Sequence, residues 1–160
     1  MFKIKIRQLD NEGDFLDGSV SAESIALEVA DPAIDLTFGD DVEYSLHASS
    51  VSGGVLITGQ IGVDVHAECG RCLCRYKFRL VLDDICHFYE EVSGDDLDIS
   101  NDIREDLLIA LPTKYLCSET CKGLCTLCGK NLNNEECGCQ QDSDFDDEVN
   151  PWSALDNLKV

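Results

Sequence analysis

At 160 residues, with ten cysteines and a formal net charge of −20, the chain has room for one domain and a small appendage. That charge argues against nonspecific binding to a phosphate polyanion, and the 44% hydrophobic fraction argues against global disorder. No apolar run approaches the ~18 residues of a membrane-spanning helix. The opening F-K-I-K-I-R-Q-L-D-N-E-G-D has no apolar signal core and is too acidic for a transit peptide, so a cytoplasmic location is expected.

Phe2, Ile4 and Ile6 alternate with Lys3, Lys5 and Arg7, which predicts a half-buried strand with a basic outer face. Residues 10–24 are polar and turn-rich and predict a loop. Residues 24–29 fit a short strand or a helical turn, and residues 34–38 a further strand before a Gly39-Asp40-Asp41 turn. Val42, Tyr44, Leu46 and Ala48 then alternate with polar residues. A Gly53-Gly54 hairpin turn follows. Val55, Ile57, Ile61, Val63, Val65 and Ala67 line one face of the returning strand, with Gly59 and Gly62 as candidate bulges. The C-G-R-C turn at 69–72 leads into a strand with Tyr76, Phe78, Leu80 and Leu82 on one side and Arg75, Lys77 and Arg79 on the other. Residues 90–98 read as an acidic loop. A helix is expected over about 100–111, with Ser100 as N-cap, a stripe of Ile103, Leu107 and Leu111, and Pro112 as terminator. After an acidic linker, Asn150-Pro151 predicts a short terminal helix.

The stretch C-S-E-T-C-K-G-L-C-T-L-C-G-K-N-L-N-N-E-E-C-G-C, residues 117–139, carries the sharpest chemistry. In a reducing compartment such cysteines read as metal ligands before disulfides. Zinc takes four soft ligands in a tetrahedron, and a C-x-x-C turn supplies two from one tight loop. Cys125-Thr-Leu-Cys128-Gly129 is such a turn, and Cys137-Gly-Cys139 offers a second pair that closes a local site. Cys117 and Cys121 remain, and with Cys69 and Cys72 they make a second four-cysteine set that reaches back to the sheet. One or two zinc ions are therefore expected. A single filled site, a disulfide framework and a rubredoxin-type iron site are the alternatives. Cys74 and Cys86 fit no pair, although Cys74 competes with Cys72 as a ligand.

His47, His66 and His87 stand apart in strand patterns and read as structural. The acidic runs lack calcium-loop spacing, and no phosphate loop or nucleophile elbow is present. Lys3, Lys5, Arg7, Arg71, Arg75, Lys77 and Arg79 are seven of the twelve basic residues. If their strands are neighbours, they form one basic strip, a candidate contact for RNA or a partner.

The blocks E-C-G-R-C-L (68–73), I-R-E-D-L-L-I-A-L-P (103–112), L-C-S-E-T-C-K-G-L-C-T-L-C-G-K-N-L-N (116–133), C-G-C (137–139) and N-P-W-S-A-L (150–155) together resemble the YceD family. Its members are described as large ribosomal RNA subunit accumulation proteins. The resemblance implies a non-enzymatic role in large ribosomal subunit biogenesis and supports Cys69, Cys72 and the later cysteines as functional positions. The family commonly has proline after the first cysteine of the C-x-x-C-G turn, where this chain has Thr126, and its usual D-P-R ending is N-P-W here.

The expected fold is α+β: a mainly antiparallel, partly barrel-like sheet, one central helix and a zinc-stapled C-terminal extension. The expected divisions are a β-rich domain over 1–112, a cysteine-rich zinc module over 113–140, and a linker with a short helix over 141–160. The expected function is binding to the large-subunit precursor, through a basic ribosomal protein or assembly factor. A redox-switched zinc protein or chaperone and a rubredoxin-like electron carrier are the rival readings.

Overall fold

Alternating apolar and polar residues build the dominant element, a four-stranded antiparallel sheet. The computed structural model describes residues 1–6, 9, 12–28, 35–90, 92 and 94–139. The sheet comprises β2 (Asp14–Ser21), β3 (Leu36–Val51), β4 (Gly54–Glu68) and β5 (Arg75–Glu90), paired in that order. A second sheet of two short strands pairs β1 (Lys3–Lys5) with β6 (Asp96–Asp98). Helix α1 spans Ser100–Ile109.

The sheet is open. Its outer strands, β2 and β5, pair only on their inward sides, so the expected barrel-like closure is absent among the described residues. Closure would need β2 to pair with β5, and those two strands are not neighbours.

One sheet face carries the core. Val42, Leu46 and Ala48 of β3, Ile57, Ile61, Val63 and Val65 of β4, and Leu80 and Ile85 of β5 are buried. Ile99, Ile103 and Leu107 join them from α1 and its N-terminal edge, as do Phe2 and Ile4 from around β1. The Phe2 ring packs on Tyr44 with centroids 4.5 Å apart. Two polar links tie α1 to β5: His87 to Asp106 at 2.6 Å, and the Tyr89 hydroxyl donating to Asp102.

Several expectations need correction. Within the predicted 10–24 loop, residues 14–21 form β2, an edge strand held by an eight-residue register with β3. Its segment D-F-L-D-G-S-V-S lacks alternation because neither face is deeply buried, and Phe15 is 79% exposed. Gly39-Asp40-Asp41 is an irregularity inside the continuous β3, where the register with β4 shifts between Phe38 and Val42. The acidic 90–98 region contains β6. Ser100 begins the helix one position inside the cap, which is Ile99. The Ser100 side chain instead accepts the Phe2 N–H at 2.6 Å and donates to Asp98 at 2.6 Å. Residues 24–29 resolve in part as a 3-10 turn at Glu23–Ile25. The expected terminal helix from Asn150 lies outside the described residues.

Other expectations match in part. The hairpin between β3 and β4 is present, shifted by one residue: Val51 pairs with Gly54, so the turn is Ser52-Gly53. The expected bulge is met in part: the register with β5 shifts just after Gly59, but the extra residue lies on β5, where Asp83-Asp84 faces the single residue Gln60, and Gly62 pairs regularly with Val81. That extra residue switches the inward positions of β5 from even to odd, so Leu80 is followed by Ile85 as its next buried residue.

Candidate metal centres

The turn between β4 and β5 presents the first pair of thiols. The Cys69 N–H bonds the Cys74 carbonyl at 3.0 Å and the Leu73 N–H bonds the Cys69 carbonyl at 2.9 Å, closing a tight loop around Gly70-Arg71. Leu73 adopts a φ of +56° to complete it. The loop then captures the segment that follows α1. The Gly70 N–H donates to the Tyr115 carbonyl at 2.9 Å, and the Arg71 guanidinium donates to the Cys121 carbonyl at 3.0 Å. These bonds carry Cys117 and Cys121 to Cys69 and Cys72.

The four sulfurs of Cys69, Cys72, Cys117 and Cys121 lie within 4.8 Å of one another. Cys69 and Cys121 are 3.8 Å apart and Cys72 and Cys117 are 3.6 Å apart. A disulfide needs about 2.05 Å, so these are not bonded pairs. At a metal–sulfur distance of about 2.3 Å, the sulfurs of a regular tetrahedron stand about 3.8 Å apart. The observed spacing therefore fits one tetrahedral ion. Cys69, Cys72 and Cys121 are buried, while Cys117 is exposed.

Cys125, Cys128, Cys137 and Cys139 form a second set with sulfurs within 4.8 Å of one another. Here the turn closes through the Gly129 N–H to the Cys125 carbonyl at 2.9 Å and the Cys125 N–H to the Lys130 carbonyl at 2.8 Å. Gly129 sits at φ +73°, the left-handed conformation that lets the chain fold back after the second cysteine. This set is the more open: Cys128 is exposed and Cys137 and Cys139 are half-buried.

Electrostatics within each set favour a cation. Burial is the largest single influence on Cys69 and opposes its thiolate, but the backbone N–H groups of Cys117, Arg71 and Cys72 outweigh it and bring the thiol down to about 6. The N–H groups of Cys128 and Leu127 likewise bring Cys125 down to about 6. Their neighbours move the other way. The Cys128 sulfur and burial push Cys139 up to about 12. Cys72 is raised too: the Cys74 N–H favours its thiolate, but burial and the sulfurs of Cys69, Cys117 and Cys121 prevail. Four thiolates at such range repel one another, and a divalent cation removes that opposition. Each set can hold one metal ion.

Cys74 and Cys86 are exposed and belong to neither set. Cys74 accepts a hydrogen bond from the Asn131 side chain at 3.1 Å. The Asn133 side chain donates to the Cys121 sulfur at 3.3 Å. Neither asparagine stood out in the sequence, although N-L-N-N fills the gap between the two cysteine pairs. Of the histidines, His47 lies 3.0 Å from the Glu12 carbonyl, His87 bonds Asp106, and none belongs to a thiol set.

The basic residues do not share one sheet. β1 pairs with β6, so Lys3 and Lys5 do not flank β5 as the continuous strip required, and Arg7 lies outside the described residues. The β5 cations already have carboxylate partners. Arg75 meets Asp35 at 2.6 Å, Lys77 meets Asp64 at 2.7 Å, and Arg79 reaches both Asp64 and Glu43. The Lys77 hydrogen bond leads the influences that hold the Asp64 carboxyl below its ordinary value.

The family described as "Large ribosomal RNA subunit accumulation protein YceD" matches residues 83–159. That span contains α1 and six of the eight clustered cysteines, with Cys69 and Cys72 upstream. A protein of Arabidopsis thaliana named "Large ribosomal RNA subunit accumulation protein YCED homolog 1, chloroplastic" is 39% identical over 57 residues, which is 36% of this chain and 17% of that protein. An uncharacterized protein of Mycobacterium tuberculosis is 28% identical over 109 residues, covering 59% of this chain and 53% of the relative. One from Mycobacterium leprae is 25% identical over 134 residues, covering 74% and 59%. The chain thus spans between 17% and 59% of the length of these relatives. No solved structure gives a significant match. Among the described residues no helix is long and apolar enough to cross a membrane. The cysteine blocks, the α1 stripe and the family match agree: across residues 83–159 this chain is similar to the YceD family.

Proposed function

We propose that this chain is a non-enzymatic factor in large ribosomal subunit biogenesis, which supports accumulation of large-subunit ribosomal RNA by binding rather than by chemistry. The observation that carries the reading is the family match over residues 83–159. Each thiol set holds one zinc ion as a structural element: Cys69, Cys72, Cys117 and Cys121 in one, and Cys125, Cys128, Cys137 and Cys139 in the other. Sets of four protein thiolates with no open position are the pattern of structural zinc, which supplies rigidity and no reactive water.

The partner on the large-subunit precursor is a basic ribosomal protein or assembly factor. The net charge of −20 favours it by field complementarity. A local RNA contact through Lys3, Lys5, Arg7, Arg71, Arg75, Lys77 and Arg79 is subordinate, because the three β5 cations are already paired with acids. The site of action is the cytoplasm, where ten reduced cysteines suit metal binding.

The test is depletion with a parallel sedimentation assay. Loss of the chain should lower large-subunit ribosomal RNA relative to small-subunit RNA, and the tagged chain should sediment with large-subunit precursors. Unchanged RNA levels together with no precursor association would refute the reading.

A further inference from the structure

The loop of the open thiol set carries a residue that faces the other set. Asn133 lies between the Cys125/Cys128 pair and the Cys137/Cys139 pair, yet its nearest sulfur contact is Cys121. Its amide orientation is determined by its partners. The Lys122 backbone N–H, which can only donate, meets Asn133 Oδ1 at 2.8 Å. Nδ2 must therefore be the end that faces Cys121 Sγ, at 3.3 Å, and it also bonds Asn131 Oδ1 at 2.8 Å. The Asn133 backbone N–H bonds the same Asn131 oxygen at 3.0 Å. The surrounding backbone is interlocked as well: the Leu132 N–H donates to the Gly123 carbonyl at 2.9 Å, and the Leu124 N–H to the Arg71 carbonyl at 3.1 Å.

We propose that Asn133 couples the two thiol sets, so that an ion in the open Cys125/Cys128/Cys137/Cys139 set tightens the hold of the buried set on its own ion. The proposal rests on the reading that both sets bind metal. The open set, when filled, ties both ends of the 130–136 segment to one point. That order places the Asn133 donor against Cys121, where an N–H draws off part of the thiolate charge and orients the sulfur. Partners of this kind change metal affinity by about 10–100-fold. Coupling of two binding equilibria is reciprocal, so the buried ion tightens the open set by the same factor. Asn133 is a positioning residue; it touches no ion.

The experiment uses the full chain loaded with zinc and challenged with a chromophoric chelator. Asn133→Asp keeps the size and the acceptor for Lys122 but turns the donor facing Cys121 into an anion. One of the two ions should then pass to the chelator about 10–100-fold more readily, with the other unchanged. In a Cys69→Ser, Cys72→Ser background, the same substitution should have no effect on the remaining ion, which separates coupling from general damage to the loop. Independently, Cys137→Ser with Cys139→Ser should loosen the ion of the buried set. Two ions held in Asn133→Asp as tightly as in the parent, or equal loosening of the open set in the serine background, would overturn the coupling while leaving the metal reading intact. A chain that takes up no metal would overturn both.

Discussion

Cys72 and Cys117 lie 45 residues apart in the chain, and their sulfurs stand 3.6 Å apart. One belongs to the turn that joins the two longest-paired strands, the other to the segment released by the end of α1. The contact therefore fastens the sheet to everything that follows the helix. Replacing Cys117 with serine should remove one metal equivalent and lower the melting temperature by several degrees, since about 1 kcal/mol corresponds to about 2–4 °C at this size. Cys74→Ser, at an exposed thiol outside both sets, should leave the metal count unchanged. Elemental analysis and thermal denaturation of the two variants make the comparison.

Gly123 gives a second test of the same junction. It has a φ of +77°, and a Cβ there would come within 3.1 Å of the Arg71 carbonyl oxygen. Gly123→Ala should cost about 1–2 kcal/mol for the left-handed backbone, with a further loss from crowding between the two thiol sets. Urea denaturation of the metal-loaded protein would measure it.

The helix provides a matched pair. Ile103 and Leu107 are fully buried in the core, whereas Ile109 on the same helix is 82% exposed. Leu107→Ala should destabilise the fold by about 2–5 kcal/mol. Ile109→Ala should fall within about 0.5 kcal/mol of the parent. Equal effects would mean that α1 packs by a different face.

Asp98 sets a pH dependence. The Ser100 hydroxyl, then the Ser100 N–H, hold the Asp98 carboxyl below its ordinary value of 3.8. A depressed carboxyl stabilises the fold fully above its ordinary value and loses that contribution as pH falls through the lower folded value. Asp98 is exposed, so solvent screening keeps its contribution small, and Asp98→Ala should cost about 0.5 kcal/mol at neutral pH. The difference from the parent should hold down to about pH 5 and shrink below about pH 4. Paired denaturation curves across that range check the sign.

The parts of the fold that were legible in the sequence are those where burial imposes a period. Ile57, Ile61, Val63 and Val65 announce β4, and Ile103 with Leu107 announces α1, because each set lines a face that meets the core. β2 was hidden because its strand character comes from pairing with β3, and only Leu16 and Val20 of it pack half-buried against the core. Gly39-Asp40-Asp41 looked like a turn because its composition suits one, yet the partner strand holds it in line with an irregular register. The grouping of the eight cysteines followed from counting pairs, since a local pair of pairs closes first and leaves one set to reach back. The amides of Asn131 and Asn133 were not legible, because their role depends on a hydrogen-bond network that only the folded loop creates.

The account stands on two four-thiolate metal sites that make one clasp between the sheet and the segment after the helix. Elemental analysis of the purified chain tests this most directly. Two zinc atoms per chain is the predicted result; one atom, none, or iron in place of zinc would contradict it.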